Sequence, residues 1–188
     1  MGRKKNIIEL TRITETEYHR IAKKPLSLMA DNVRSMMNIG SMLRTADAFN
    51  IREMLMAGIS AVPPHPEISK TALGAENSVS WRYVSDAVEE VKRMKAEGVR
   101  IAVLEQTHGS IPLADFNPDR YPRYFDNNIE WLLVVGNEVT GVAQEIVDLA
   151  DAALEIPMYG VKHSLNVAVS AGIALWHLTN HLSERHPS

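Results

Sequence analysis

The five consecutive apolar residues Trp131-Leu-Leu-Val-Val135 constrain this chain more than any other stretch. They do not alternate with polar residues, so a strand built from them has no face to offer water. Strands buried on both faces belong to the interior of parallel sheets, where helical crossovers cover each side. The flanking sequence fits that architecture. Leu26–Asp31, Met54–Ile59, Trp81–Val84, Val99–Leu104 and Ala152–Ile156 also read as strands. Helical periodicity marks Ile39–Phe49, Asp86–Glu97, Val142–Ala150 and Leu165–His181, with Gly98 placed as a C′ residue. Asn6–Ala22 reads as an amphipathic helix broken near Thr14. Ala61–Pro66 opens a long connection through Asn77, and Gln106–Asn128 looks irregular. Strands alternating with helices predict an α/β fold with a mainly parallel sheet and helices on both faces. At 188 residues and 45% hydrophobic, the chain can fill one such core.

Composition removes several classes of function. Without cysteine there is neither a disulfide framework nor a thiolate metal site. The charged start Met1-Gly-Arg-Lys-Lys-Asn6 lacks an apolar h-region, and no apolar run is long enough to span a bilayer, so a soluble cytoplasmic protein is expected. The net charge of −3 does not announce a polyanion binder. The cations are nevertheless crowded into the first 52 residues, where Arg3, Lys4, Lys5, Arg12, Arg20, Lys23, Lys24, Arg34, Arg44 and Arg52 meet about half as many carboxylates. Such a surface either binds phosphates or is a solvated charged face.

Ligands of open parallel sheets bind at the carboxyl ends of the strands. Two turns fall there, Gly136-Asn-Glu-Val-Thr-Gly141 and Pro157-Met-Tyr-Gly160. No G-x-G-x-x-G, G-x-x-x-x-G-K-[ST] or G-x-S-x-G motif accompanies them, so dinucleotide, triphosphate and serine-hydrolase chemistry lack their usual scaffolds. His177 and His181 are spaced i, i+4 without the flanking acid of a zinc helix, and no metal is expected. The rim suits an adenosine held by backbone groups and by Ile156, Met158 and Leu165. After the second turn, Ser164 occupies an N-cap position. Leu165, Val169, Ile173 and Trp176 then recur at helical spacing, and Ala168, Ala171, Gly172 and Ala174 make another face small. Glu138 is either a dipole-complementing acid or a site residue. Arg44, among Met42, Leu43, Ala46 and Phe49, is either a surface ion-pair partner or a group facing a phosphodiester or ribose.

Three segments, in order, carry a resemblance: Asn32-Val-Arg-Ser-Met-Met-Asn-Ile-Gly-Ser-Met-Leu-Arg-Thr-Ala-Asp-Ala-Phe49, Leu133-Val-Val-Gly-Asn-Glu-Val-Thr-Gly141 and Ile156-Pro-Met-Tyr-Gly-Val-Lys-His-Ser-Leu-Asn-Val167. The chain resembles the SpoU/TrmH branch of the SPOUT RNA methyltransferases over residues 26–182. The resemblance implies a C-terminal trefoil knot, S-adenosylmethionine as cofactor, a homodimer, and methyl transfer to a ribose 2′-hydroxyl of tRNA or rRNA. It assigns Leu104, Glu105, Gly136, Asn137, Ile156, Met158 and Leu165 to the cofactor, and Arg44, Asn38, Glu138, Ser164 and Asn166 to catalysis. Asn32, Arg34, Arg44, Lys4, Lys5, Lys23 and Lys24 are the expected RNA contacts. Residues 1–25 would form a basic helical extension, 26–182 the methyltransferase domain and 183–188 a polar tail. The small face of the last helix would pack against the second subunit. Two departures stand out: Asn50 replaces the family's glycine, and Val167-Ala168-Val169-Ser170 exchanges serine and alanine. An RNA-binding factor without catalysis, or another adenosine-ligand enzyme, are the alternatives.

Overall fold

The computed structural model describes residues 2–4, 6, 13–125 and 129–182. Seven strands form one sheet: β1 (Lys24–Asp31), β2 (Ile51–Ala57), β3 (Trp81–Val84), β4 (Arg100–Leu104), β5 (Ile111–Pro112), β6 (Trp131–Val135) and β7 (Ala152–Glu155). Their order is β3-β2-β1-β6-β4-β7-β5, and every pairing is parallel. The apolar run that opened the sequence argument is β6, central in the sheet and buried at all five residues. Successive side chains of a strand face opposite ways. Trp131, Leu133 and Val135 therefore join one core layer, and Leu132 and Val134 the other.

Helices cover both layers. The first is closed by α2 (Met36–Ala48), α3 (Pro66–Ala72), α4 (Ala75–Ser78) and α7 (Val167–His181), and the second by α5 (Ala87–Ala96) and α6 (Gln144–Leu149). A short α1 (Glu15–Arg20) starts at a capping box between Thr14 and Glu17 and buries Tyr18. The remainder of the expected N-terminal helix, including Lys5 and residues 7–12, lies outside the described residues, as do 126–128 and the tail 183–188.

Several boundaries differ from the sequence expectation. The segment after β1 is helical from Met36, three residues before Ile39, because Ser35 accepts from Asn38 N and caps it. Asn38 therefore sits in a rigid first turn. β2 starts at Ile51 because Asn50 makes the preceding turn at φ 51°, the left-handed conformation that asparagine tolerates. The connection from Ala61 to Asn77 holds two helices. Pro66 opens α3 behind an N-cap at His65, where a missing N–H costs nothing. At Gly40, where α2 crosses α3, a Cβ would lie 2.1 Å from Thr71 Oγ1 and 2.4 Å from Ile68 O. Only glycine permits that approach.

The last helix begins at Val167 and is capped by Asn166, whose Oδ1 accepts from Ala168 N and Val169 N at 2.9 and 3.3 Å. Ser164 is not the cap. Its small residues also point elsewhere than expected. Ala171 and Ala174 are buried with Val167, Leu175 and Leu178 in the core. Leu165, Val169, Ile173 and Trp176 are 41, 51, 39 and 58% exposed. The stripe with the larger side chains is thus the uncovered one, and the small face packs within the protomer.

Candidate functional site

A cavity of about 280 Å³ opens at the carboxyl ends of β4, β6 and β7. Its walls are the turn after β6, the loop 156–166 and the first residues after β4. Leu104, Glu105, Gly136, Asn137, Ile156, Met158 and Leu165 all line it, as do Glu138 and Ser164. Gln106, Val139, Gly141, Glu155, His163 and Ser170 line it too, although none carries a sequence signal strong enough to be singled out.

Two of those wall residues work as braces. Asn137 accepts from Val139 N at 2.8 Å and Thr140 N at 3.3 Å, and donates to Asn32 O at 2.9 Å. Glu105 Oε2 accepts from Val142 N at 3.1 Å, and its Oε1 accepts from Gln106 N at 3.1 Å. Both residues hold the 136–141 turn closed across an antiparallel bridge between Asn137 and Gly141. The two glycines bounding that turn are sterically required. A Cβ on Gly136 would sit 2.1 Å from Gly141 C, and Gly141 has φ +71° with Glu105 Oε2 2.3 Å from its Cβ position. Behind the turn, Asp31 is buried at the end of β1, which raises its pKa. It accepts from Ala143 N at 3.0 Å and from Asn32 Nδ2 at 2.8 Å.

The three segments singled out in the sequence meet in one hydrogen-bonded chain. Asn166 Nδ2 donates to Asn38 Oδ1 at 3.0 Å, and Asn38 Nδ2 donates to Glu138 Oε1 at 2.8 Å. Each link fixes the next. Asn166 must present its oxygen to the N-terminus of α7, so only its amide faces Asn38. Asn38 then has its oxygen engaged, and its amide turns to Glu138. Helix α2, the β6 turn and the start of α7 are thereby tied together at the cavity mouth, and Glu138 Oε2 and the Ser164 hydroxyl have no hydrogen-bond partner among the described residues.

Arg44 stands apart. It is exposed on α2, makes no hydrogen bond or ion pair among the described residues, and does not line the cavity. Six residues beyond Asn38, it is displaced roughly 9 Å along the axis and about 120° around it. Of the expected RNA contacts, Lys4 and Arg34 are exposed and Lys5 is outside the described residues. Three others serve the fold. Asn32 spends its carboxamide on Asp31 and on Ile59 N at 3.1 Å. Lys23 lies 3.1 Å over the Tyr18 ring and donates to Tyr18 O and Asn50 Oδ1 at 2.9 and 2.8 Å. Lys24 Nζ donates to Leu182 O at 3.1 Å. All three are half-buried and hydrogen-bonded within the chain. His177 Nε2 is engaged with Phe116 O at 2.7 Å, and among the described residues no group of three acids or histidines could hold a metal ion. No helix among them is long and apolar enough to cross a membrane.

Comparison with known proteins agrees with this geometry. The model of the SpoU rRNA Methylase family matches residues 25–176. A tRNA (guanosine(18)-2′-O)-methyltransferase of Aquifex aeolicus is 30% identical over 87% of this chain and 72% of its own length. A 23S rRNA (guanosine-2′-O-)-methyltransferase of Neisseria meningitidis is 28% identical over 91% of this chain, which spans 63% of that protein. The crystal structure of the A. aeolicus TrmH/SpoU tRNA modifying enzyme superposes with a TM-score of 0.74 at 29% identity, over 89% of this chain and 80% of that one. The SpoU methyltransferase AviRb from Streptomyces viridochromogenes, solved with AdoMet, gives 0.70 at 26% identity over 86% of this chain and 62% of its own. With its seven parallel strands and its three joined segments, the chain belongs to the SpoU rRNA methylase family.

Proposed function

We propose that this protein is an S-adenosylmethionine-dependent methyltransferase acting on a ribose 2′-hydroxyl of tRNA or rRNA. The observation that carries the proposal is the Asn166–Asn38–Glu138 chain at the mouth of a cavity walled by the loops after β4, β6 and β7. The wall fits the cofactor. Leu104, Ile156, Met158 and Leu165 offer apolar surface to a flat adenine, and no lysine or arginine lines the cavity to repel a sulfonium. When bound, S-adenosylmethionine supplies an electrophilic methyl group.

The chain's own residues must align the acceptor and ease the loss of its proton. Glu138 Oε2 and the Ser164 hydroxyl are open at the mouth and can hold the incoming hydroxyl. Arg44, permanently protonated, suits clamping of the adjacent phosphate and stabilisation of the developing alkoxide better than proton abstraction. Its position on α2 is consistent with a site completed by a second copy. We assign the dimer interface to the exposed apolar stripe Val169, Ile173 and Trp176, with Met36 and Met37 at the start of α2. A patch of this kind is what an obligate interface buries.

The knot belongs to the same proposal. β7 lies between β4 and β5, which are joined directly by residues 105–110. The chain leaving β7 must negotiate that connection, and Gln106 Nε2 touches His163 O there at 3.3 Å. A thread through the loop accounts for this strand order. We retain the division into an N-terminal extension to residue 25, a methyltransferase domain from 26 to 182 and a tail, with Lys4 and Arg34 as RNA contacts. The test is transfer of labelled methyl from S-adenosylmethionine to unmodified RNA, followed by nucleoside analysis. Label in 2′-O-methylnucleosides is expected. Label on a base, or stable RNA binding with no transfer, overturns the proposal.

A further inference from the structure

Three carboxylates line the cavity, Glu105, Glu138 and Glu155, with no lysine or arginine to balance them. Two are accounted for. Glu105 is held through both oxygens by backbone N–H groups, and Glu138 receives the Asn38 amide. Glu155, at the carboxyl end of β7, is different. Its Oε2 accepts from Ser110 Oγ at 2.8 Å, while Oε1 has no partner among the described residues. Glu155 is half-buried and forms no ion pair among the described residues. Its second oxygen is therefore available to a donor that enters the cavity. The Ser110 bond points it, since that hydroxyl accepts from Thr107 N at 3.4 Å in the loop that crosses β7. This is a preoriented acceptor on the wall of a net-negative cavity.

We propose that Glu155 is a further cofactor-binding residue, accepting hydrogen bonds from N–H or O–H donors of S-adenosylmethionine. The inference rests on the function proposed above. Three parts of the cofactor carry such donors: the adenine 6-amino group, the ribose diol and the methionine ammonium. The shared chemistry is donation to a carboxylate, and binding measurements separate the sources.

The experiment is titration calorimetry of the 188-residue chain with S-adenosylmethionine and with 5′-methylthioadenosine, which keeps the adenine and the diol but lacks the ammonium. Glu155→Gln preserves size and the bond from Ser110 but removes the charge. It should weaken S-adenosylmethionine binding about tenfold or more, the cost of one charge-assisted hydrogen bond. A parallel loss for 5′-methylthioadenosine assigns the bond to the nucleoside, its diol or its adenine amine, and an unchanged affinity assigns it to the ammonium. Ser110→Ala leaves the carboxylate in place but unaimed, and should weaken binding less than Glu155→Gln does. If Glu155→Gln binds both ligands within twofold of the parent, Glu155 only bridges β7 to its neighbouring loop and the proposal is overturned. A parent protein that binds neither ligand instead sinks the methyltransferase reading itself.

Discussion

Asn166 joins two jobs that one substitution can separate. Its oxygen caps α7 and its amide orients Asn38 toward Glu138. Asn166→Asp keeps the cap, since a carboxylate accepts the same N–H groups and complements the helix dipole. The second oxygen now faces Asn38 Oδ1, where a donor stood. Asn38 must turn its amide toward residue 166 and its oxygen toward Glu138, or leave both contacts. Either way the 2.8 Å bond from Asn38 to Glu138 is lost. A hydrogen bond to a charged group is worth about 1.5–3 kcal/mol, and at 1.4 kcal/mol per decade its loss is worth roughly 10- to 100-fold. Asn166→Asp should therefore keep the helix cap and methylate RNA roughly 10- to 100-fold more slowly. Asn166→Ala loses the cap as well, about 1 kcal/mol, and one exposed hydrogen bond of similar size. For a chain of this length that lowers the melting temperature by roughly 4–8 °C. Calorimetric melting and single-turnover methylation of both variants provide the assay. Parent-like turnover in Asn166→Asp would falsify the idea that the relay positions Glu138.

Arg44→Ala should keep cofactor affinity by calorimetry while methylation falls at least ~100-fold; lost affinity with retained turnover reverses its assignment. Gly136→Ala forces a Cβ onto backbone 2.1 Å away and should destabilise by about 2 kcal/mol or more in urea unfolding and abolish cofactor binding. Trp176→Glu should convert a dimer to monomer in light scattering, because it places a charge in the apolar stripe on α7. Burial lowers the Lys23 pKa to about 8, against an opposing pull from Asp47. The unfolded chain then binds more protons than the folded one between about pH 8 and the ordinary lysine value, so this group's contribution to stability rises with pH across that window. Lys23→Met should flatten the rise in denaturation curves taken at pH 7.5 and 10.

What the sequence made legible was decided by local physics. The unbroken apolar run 131–135, Asn50 at a left-handed turn and Gly98 after α5 needed no tertiary information. All seven residues assigned to the cofactor line one cavity because their segments follow strands whose ends converge. Errors arose where a neighbour in space decides. Ser164 and Asn166 are both good caps, and Asn166 wins because Asn38 fixes its amide. Pro66 looked like a breaker and is an N1 residue. On α7, helical spacing identified two faces without saying which the sheet would take, and the larger residues were left outside. The hydrogen bonds of Lys23 and Lys24 were not legible either, because their acceptors, Asn50 and the carbonyl of Leu182, lie 27 and 158 residues away.

The interior position of β7 has a consequence for biosynthesis. A ribosome delivers the amino terminus first. Until β7 emerges, the edge of β4 that it will cover has no neighbour. One wall of the cavity and the cap of α7 follow in the same stretch of chain. The ligand pocket therefore cannot pre-exist on a nascent chain from which β7 and the start of α7 have yet to emerge.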